Sequence, residues 1–424
     1  MVLTIYSALI LLFCLYPVIG AGAWFAGSLC YAFLKKDKED TWQILKINEQ
    51  PLISILIAAH NEDKVIKKTI EYLVNDLNYS NYEILVIDDA STDKTPEILA
   101  DLQGKYSFLR VIKVRKNMGK AHALNIGMCF AKSQYILSND ADTIPEPDSL
   151  MKYANIVVKE KNMNISAITA NMDVQNRDTL LGKSQVIEFS SIVGVIKRSQ
   201  SAINNSLYAY SGASTLYKKS FLIAVGGLRQ NRATEDISVA WDHQQIGGIP
   251  TFSPDISFHM NVPENIKDLY KQRKRWAKGG IEVWASNTKD FIMHPVKNRY
   301  YWTMYFDATI SILWSIFFVI STIAYSLAFL YFIIKGDYQN IMNTFAISCV
   351  FVCFEFLIGM LQIIAGVILD KQQDKIKYLL FAPLYILLFW MINPISIVAT
   401  FIPGITNIMQ KQGSGTWESP LRKY

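Results

Sequence analysis

Apolar residues cluster at the two ends of the chain, and the stretch between them alternates short apolar runs with amphipathic ones. The N-terminal run, about Leu3 to Leu34, holds no charged residue. At about 1.5 Å per helical residue it is long enough to cross a bilayer once and too short for a hairpin of two spans. Three further runs, about Met304–Ile334, Thr344–Leu369 and Leu379–Ile402, fill the C-terminal part. In the middle, Leu52–Ala59 is an almost unbroken apolar run of the kind a strand buried on both faces requires. Asp63–Asn75 reads as a helix, Tyr82–Asp88 as a second strand, and Ser91-Thr92-Asp93 as the cap of a second helix. Leu109–Val114 is then a third strand, Asn117–Ala131 a helix and Gln134–Asp142 a fourth strand. Strand and helix in regular alternation predict an α/β domain with a mostly parallel sheet, flanked by transmembrane helices.

Composition agrees with this division. A hydrophobic share of 51% against 18% charged residues over 424 positions is too apolar for an ordinary soluble enzyme. Lys35, Lys36 and Lys38 follow the first apolar run, so the positive-inside rule puts the middle domain in the cytoplasm. The first C-terminal connector, Lys335–Asn343, is poor in basic residues, whereas Asp370–Lys377 carries Lys371, Lys375 and Lys377. The first is expected outside and the second inside, which predicts a multi-pass protein of the cell membrane. Asn393-Pro394 and Pro403-Gly404 are places where the last run can break into two halves. If it crosses fully, the tail lies outside; if it is broken or interfacial, the tail stays inside. The domains read as 1–36 (membrane segment), 45–260 (catalytic), 261–303 (interfacial helices), 304–403 (C-terminal membrane region) and 404–424 (tail). A net charge of +6 without a dense basic stripe gives no reason to expect nucleic acid. The five cysteines show no metal-ligand spacing, and four of them lie in apolar runs.

The chemistry gathers at strand ends. In an open parallel sheet ligands bind beyond the carboxyl ends of the strands, and His60-Asn61-Glu62, Asp88-Asp89 and Asp140-Ala-Asp142 all fall there. Any one of them alone is an ordinary polar turn. Together they form an oxygen-rich rim suited to a base, a ribose and a metal-bound diphosphate. On a strand the i, i+2 spacing puts Asp140 and Asp142 on one face. No Gly-rich phosphate loop is present, so phosphate charge falls to a metal and to basic groups such as Lys120, at the start of a helix. Farther on, Glu235 and Asp236 precede an apolar helical run. They read either as helix caps or as a cleft carboxylate able to act as general base. Gln272, Arg275 and Trp276 recur at i, i+3, i+4 on one helical face. That face is either a membrane-interface anchor or a pyrophosphate clamp with an aromatic platform.

Asp88-Asp89, Asn139-Asp-Ala-Asp142, Thr234-Glu-Asp236 and Gln272-Arg-Lys-Arg-Trp276 resemble, in order, the D, DxD, TED and QxxRW motifs of processive family 2 glycosyltransferases. Gly182–Phe189, Ile196–Gln200, Ser211-Gly212, Tyr217–Ser220 and Thr416–Pro420 are similar to the biofilm poly-β-1,6-N-acetylglucosamine synthases within that group. The resemblance implies a GT-A nucleotide-sugar domain that polymerises N-acetylglucosamine from UDP-N-acetylglucosamine and extrudes the growing polysaccharide across the lipid bilayer. Glu62 and Asp88 would contact the uridine, and Asp140 the ribose and diphosphate. Asp142 would ligate Mg2+ or Mn2+, Asp236 would act as the base, Arg275 would steady departing UDP and Trp276 would stack on the acceptor sugar. Trp417 to Arg422 resemble a tail motif that lies near the diphosphate, which favours a cytoplasmic tail. Relatives often work with a small membrane accessory subunit. His60, Leu421 and Lys423 depart from the usual pattern. Hyaluronan, chitin and cellulose synthases share the four motifs, so the choice of sugar rests on the Gly182–Ser220 and tail similarity.

Overall fold

The chain was analysed as a computed structural model that describes residues 2–39, 42–160, 163–370 and 373–410. Helix α1 (Val2–Glu39) precedes the mixed-composition domain. There β1 (Ile53–Ala59), α2 (Ile66–Asn75), β2 (Tyr82–Asp88), α3 (Thr95–Lys105), β3 (Leu109–Lys113), α4 (Lys120–Phe130) and β4 (Tyr135–Asp140) alternate as the sequence pattern requires. After β5 (Ile144–Pro145), α5 (Ser149–Lys159) and β6 (Ile165–Val174) comes one long helical stretch. It comprises α6 (Leu180–Ile187), a π-helical segment (Glu188–Val193) and α7 (Gly194–Asn204). Then follow β7 (Ser214–Lys218), α8 (Lys219–Ala224), α9 (Glu235–Gln245), β8 (Ile249–Met260) and α10 (Ile266–Met293). Helices α11 (Trp302–Lys335), α12 (Tyr338–Leu369) and α13 (Ala382–Gln410) complete the chain.

The eight strands form one sheet in the order β3-β2-β1-β4-β7-β6-β8-β5. Pairs β1–β2, β1–β4, β2–β3 and β6–β8 are parallel, while β7 runs antiparallel to both β4 and β6. Every residue of β1 is buried because its alternate side chains serve two cores. Ile53, Ile55 and Ile57 pack with α2, α3 and α5, whereas Leu56 and Ala58 pack with α4 and α9. Each such side chain fully buried contributes about 1.5–3 kcal/mol. A third cluster joins Leu181 of α6 and Leu269 of α10 to Ile363 and Val367 of α12 and to Ala382, Tyr385 and Phe389 of α13.

Among the described residues four helical stretches are long and apolar enough to cross a membrane: Leu15–Leu34, Trp302–Lys335, Tyr338–Leu369 and Lys375–Gln410. The last behaves differently in its packing. Helix α13 runs beside α10 in the same direction. Phe389 lies 5.0 Å under the Arg273 guanidinium, a methyl on Gly404 would meet Ile281 at 2.8 Å, and Asn407 donates to Glu282 at 2.7 Å. Both ends of α13 therefore lie against the unit that carries the sheet. Of the two alternatives for the last run, the break at Asn393-Pro394 does not occur, and the helix continues through Pro394 and Pro403. Packing along α10 supports it where the prolines remove backbone donors.

The connector between α12 and α13 is also fastened to the sheet. The fully buried Lys375 ammonium lies 3.1 Å from Asp370 and 3.3 Å from Asp173, which follows Met172 near the end of β6. Asp173 is paired with Arg177 at 2.5 Å as well.

Candidate active site

The carboxyl ends of β1, β2 and β4 meet on one edge of the sheet, as parallel pairing demands, and the loops that leave them are held by their own polar side chains. Asp88 is 3% exposed and its Oδ1 accepts the Ser91 amide at 3.0 Å, closing a turn in which Ala90 takes a positive φ of 59°. Asp89, wholly buried, accepts the amides of Met118 (3.3 Å) and Gly119 (2.8 Å). That grip, with Gly119 at φ 91°, explains why α4 starts at Lys120 rather than at Asn117 as its sequence predicts. Glu62 is 2% exposed beside the same rim, its amide donating to Thr95 Oγ1 at 2.8 Å.

Lys120 is thereby aimed across the cleft. Its ammonium lies 2.5 Å from Asp140 Oδ1 and 3.2 Å from Glu235 Oε1, and donates to the Gly212 carbonyl at 3.2 Å. Burial works against its charge, but Asp140 and Glu235 prevail and hold the ammonium above its ordinary range. Strand β4 ends at Asp140. Asp142 therefore stands in the following turn, and strand alternation does not set its direction, contrary to the expectation from spacing. Among the described residues no group of three or more His, Cys, Asp or Glu side chains is placed to hold a metal ion. The donors near Lys120 are carboxylate oxygens, hard ligands that fit Mg2+ or Mn2+ only when a diphosphate completes the shell.

Glu235 and Asp236 occupy the first turn of α9. Asp236 Oδ2 accepts the Gly212 amide at 3.2 Å, and its Oδ1 accepts the Ile237 amide at 2.9 Å. Burial and then the Glu235 charge push the Asp236 carboxyl up to about 6, against the pull of Lys120 and Arg275. A carboxyl poised there is ionised at neutral pH and still basic enough to accept a proton. Gly212 sits at the junction: a methyl there would lie 3.2 Å from Glu235, 3.3 Å from Asp236 and 3.3 Å from Lys120.

Helix α10 brings the Gln272–Trp276 segment to this cleft, with Arg275 exposed and Gln272 and Trp276 half-buried. Arg275 is near enough for its charge to act on Asp236. Gln272 Oε1 is buried with no hydrogen-bond partner, an acceptor available to a ligand. Trp276 packs on the core and carries the Arg273 guanidinium 4.2 Å over its ring, so one face is already covered. Arg273 was not among the residues singled out from sequence. It is 5% exposed and donates to Glu188 of the π-helical segment at 2.7 Å. Burial raises the Glu188 carboxyl, and Arg273 opposes that rise.

Two more residues escaped the sequence reading. Glu282, wholly buried, accepts the Ala233 amide at 2.8 Å and the Asn407 side-chain amide at 2.7 Å, so it ties the loop before α9 to the end of α13. Lys197 of α7 is 7% exposed and donates to Ser211 Oγ at 2.6 Å. Glu282 is a lone charge in the stretch Gly280-Ile-Glu-Val-Trp284, and that isolation is the signal that could have found it, whereas Lys197 stands beside Arg198 in the Ile196–Gln200 segment and carries no such mark. Trp417 and Arg422 lie outside the described residues.

Comparison with known proteins places this geometry. The Glycosyl transferase family 2 pattern matches residues 54–226. The poly-β-1,6-N-acetyl-D-glucosamine synthase of a Staphylococcus epidermidis strain is 32% identical over 415 residues, 96% of this chain and 97% of that one. The chain belongs to glycosyltransferase family 2. The same-named synthase of Staphylococcus aureus strain COL aligns with this family 2 glycosyltransferase at 32% identity over 412 residues, 96% of this chain and 97% of the other. A mannosyltransferase from Pyrobaculum calidifontis, solved with GDP-mannose and Mn2+, superposes on it with a TM-score of 0.54 at 18% identity, covering 85% of this chain and 99% of that one. That likeness establishes the GT-A fold. The family pattern ends at residue 226 and so omits Asp236 and the Gln272–Trp276 segment.

Proposed function

We propose that this family 2 glycosyltransferase polymerises N-acetylglucosamine from UDP-N-acetylglucosamine into β-1,6-linked chains and passes the product through the membrane. The observation that carries this reading is the position of Lys120: one ammonium within 2.5 Å of Asp140 and 3.2 Å of Glu235. Donor-side carboxylates and the Thr234-Glu-Asp segment are thus neighbours, as transfer of one sugar to another requires. Near-full-length similarity to synthases of that name supports the choice of sugar.

In this reading Glu62 and Asp88 line the uridine site, and Asp140 stands by the ribose and diphosphate. Asp142, with Asp140 beside it, would hold Mg2+ or Mn2+, which when bound offsets the charge of the leaving diphosphate. Asp236 takes the proton of the acceptor's 6-hydroxyl as that oxygen forms a bond to the anomeric carbon. The bond from that carbon to the UDP oxygen breaks on the opposite face, which converts an α-linked donor to a β-linked product. Lys120, Gln272 and Arg275 supply donors and positive charge to the departing UDP. Trp276 offers its open face to the acceptor ring, and Trp417 and Arg422 are assigned to the diphosphate by their resemblance to the tail motif.

Helices α1, α11 and α12 cross the bilayer, while α13 lies along the interface with α10. A helix as charged as α10, with Lys267, Lys271, Arg273, Lys274, Arg275 and Lys278, is a poor spanning element, and α13 follows it end to end. The catalytic unit and the tail then share the cytoplasmic side.

A panel of UDP-sugars given to membranes containing the protein, with and without a small membrane accessory subunit, tests the reaction. Polymer is expected from UDP-N-acetylglucosamine with Mg2+ or Mn2+, and its digestion by a β-1,6-specific hydrolase identifies the linkage. Polymer formed from a different UDP-sugar in preference would overturn the assignment. Within the site, Asp142→Asn should weaken metal-dependent UDP binding more than Asp140→Asn, by about tenfold or more. Equal metal titration midpoints for the two variants would refute the division of roles.

A further inference from the structure

The reaction as proposed leaves unused one buried cation that stands against its machinery. Lys197 lies in α7, the helix on which α1 packs so closely that a methyl on Gly27 would fall 2.0 Å from Ser199 Oγ. Its ammonium donates to Ser211 Oγ at 2.6 Å and rides 5.7 Å over the Phe252 ring of β8. The turn it touches is bonded throughout. The Ser211 amide donates to Thr169 Oγ1 at 2.9 Å, and the Ser211 carbonyl accepts the Thr215 hydroxyl at 2.7 Å. The Gly212 carbonyl accepts Ser138 Oγ at 2.6 Å as well as Lys120, while the Gly212 amide points at Asp236.

We propose that Lys197 is a positioning residue for the base: it clamps the Ser211–Gly212 turn so that the Gly212 N–H meets Asp236. The inference rests on the assignment of Asp236 as base. Burying an ammonium is costly unless a partner repays it, and a hydroxyl alone does so weakly. Burial pulls Lys197 down to about 8, and the Asp236 charge opposes that fall. The groups around the pair are known by element. Glu235 acts on Asp236 from α9, Lys120 from α4 and Arg275 from α10. Arg198 neighbours Lys197 on its own helix, and the Tyr31 phenol of α1 reaches the Phe252 carbonyl at 3.0 Å. Of the cations acting on Asp236, Lys120 and Arg275 are both assigned to the leaving diphosphate. Lys197 has no such assignment, so its hold on the Ser211–Gly212 turn can last throughout the cycle.

The test is the pH profile of polymer synthesis for Lys197→Met, Lys197→Arg and Ser211→Ala. Lys197→Met should move the acid limb of kcat/KM upward by about one pH unit, a loss of about fivefold at pH 6 that shrinks at pH 8. UDP affinity should stay within about twofold, and Lys197→Arg should restore much of the wild-type limb. Ser211→Ala, a mild change that keeps the helix intact, should move the limb in the same direction by less, and it decides the matter if Lys197→Met fails to fold. A loss that is uniform across pH in both variants, or limbs that stay in place, overturns the proposal. Activity retained by Asp236→Asn would instead remove the base assignment itself, so the two failures are distinguishable.

Discussion

Asp236→Asn should lose about 10³-fold or more in kcat while binding UDP as the wild type does. General-base assistance is worth about 10²–10⁴-fold. Asn has a single carbonyl oxygen, so it can keep the Ile237 bond now at 2.9 Å only by turning its NH2 toward the Gly212 amide that Asp236 Oδ2 now accepts at 3.2 Å. One of the two amide bonds is lost and the proton acceptor is gone. Since burial places the ionisation of this carboxyl near 6, wild-type kcat/KM should fall as pH drops through about 6. The sign is fixed by the role: a base must be ionised, so protonation silences it. Single-turnover transfer with purified protein checks both statements. Wild-type turnover by the Asn variant would remove Asp236 from the mechanism.

Gly279→Ala should be the most damaging methyl that can be added near the site. The new carbon would stand 1.9 Å from Thr234 Oγ1 and 2.8 Å from Thr234 Cβ. Thr234 is 3% exposed, so it cannot swing away without moving the first turn of α9. Ala favours a helix over Gly by about 1 kcal/mol, and overpacking of this kind costs about 1–3 kcal/mol. Global stability should therefore change little. Activity should fall by about 10²-fold, the cost of misplacing a reacting group by about 1 Å. Thr234→Gly in the same chain removes every clashing atom, and Gly is tolerated as a helix cap at a cost of a few tenths of a kcal/mol. The double variant should recover most of the lost rate. If it does not, contact with Thr234 is not what Gly279 protects.

The parts of this molecule that follow local rules were legible beforehand. Strands β1, β2 and β4 are near-continuous apolar runs, and the acidic groups at their ends fall on one edge because parallel pairing leaves no other arrangement. The Gln272–Trp276 face was visible for the same reason, since helical spacing is local. Contacts between distant segments were not. Nothing in the neighbourhood of Asn407 announces a bond to Glu282, 125 residues earlier, and nothing near Lys375 points to Asp173. Local rules misled at Asp142, because strand pairing stops two residues before it, and at Pro394, because a neighbouring helix supports the backbone. Arg273 lay inside a recognised motif and was passed over. The helical face chosen there was the one aimed at the ligand, whereas Arg273 faces Glu188 and fixes α10 to the π-helical segment.

The bond from Asn407 to Glu282 gives the surrounding lipid a voice in the chemistry. Helix α13 shows apolar side chains such as Leu387, Met391 and Ile402 outward along its length, so their natural environment is acyl chain or headgroup rather than water. The same carboxylate that receives its last turn also receives the amide of Ala233, three residues before Asp236. A harsh extraction that pulls α13 away from α10 should therefore free the loop that leads to Asp236, the proposed base, while leaving Glu62 and Asp88 in place. Such a preparation should still hold nucleotide and make no polymer, and returning it to bilayer should restore the activity.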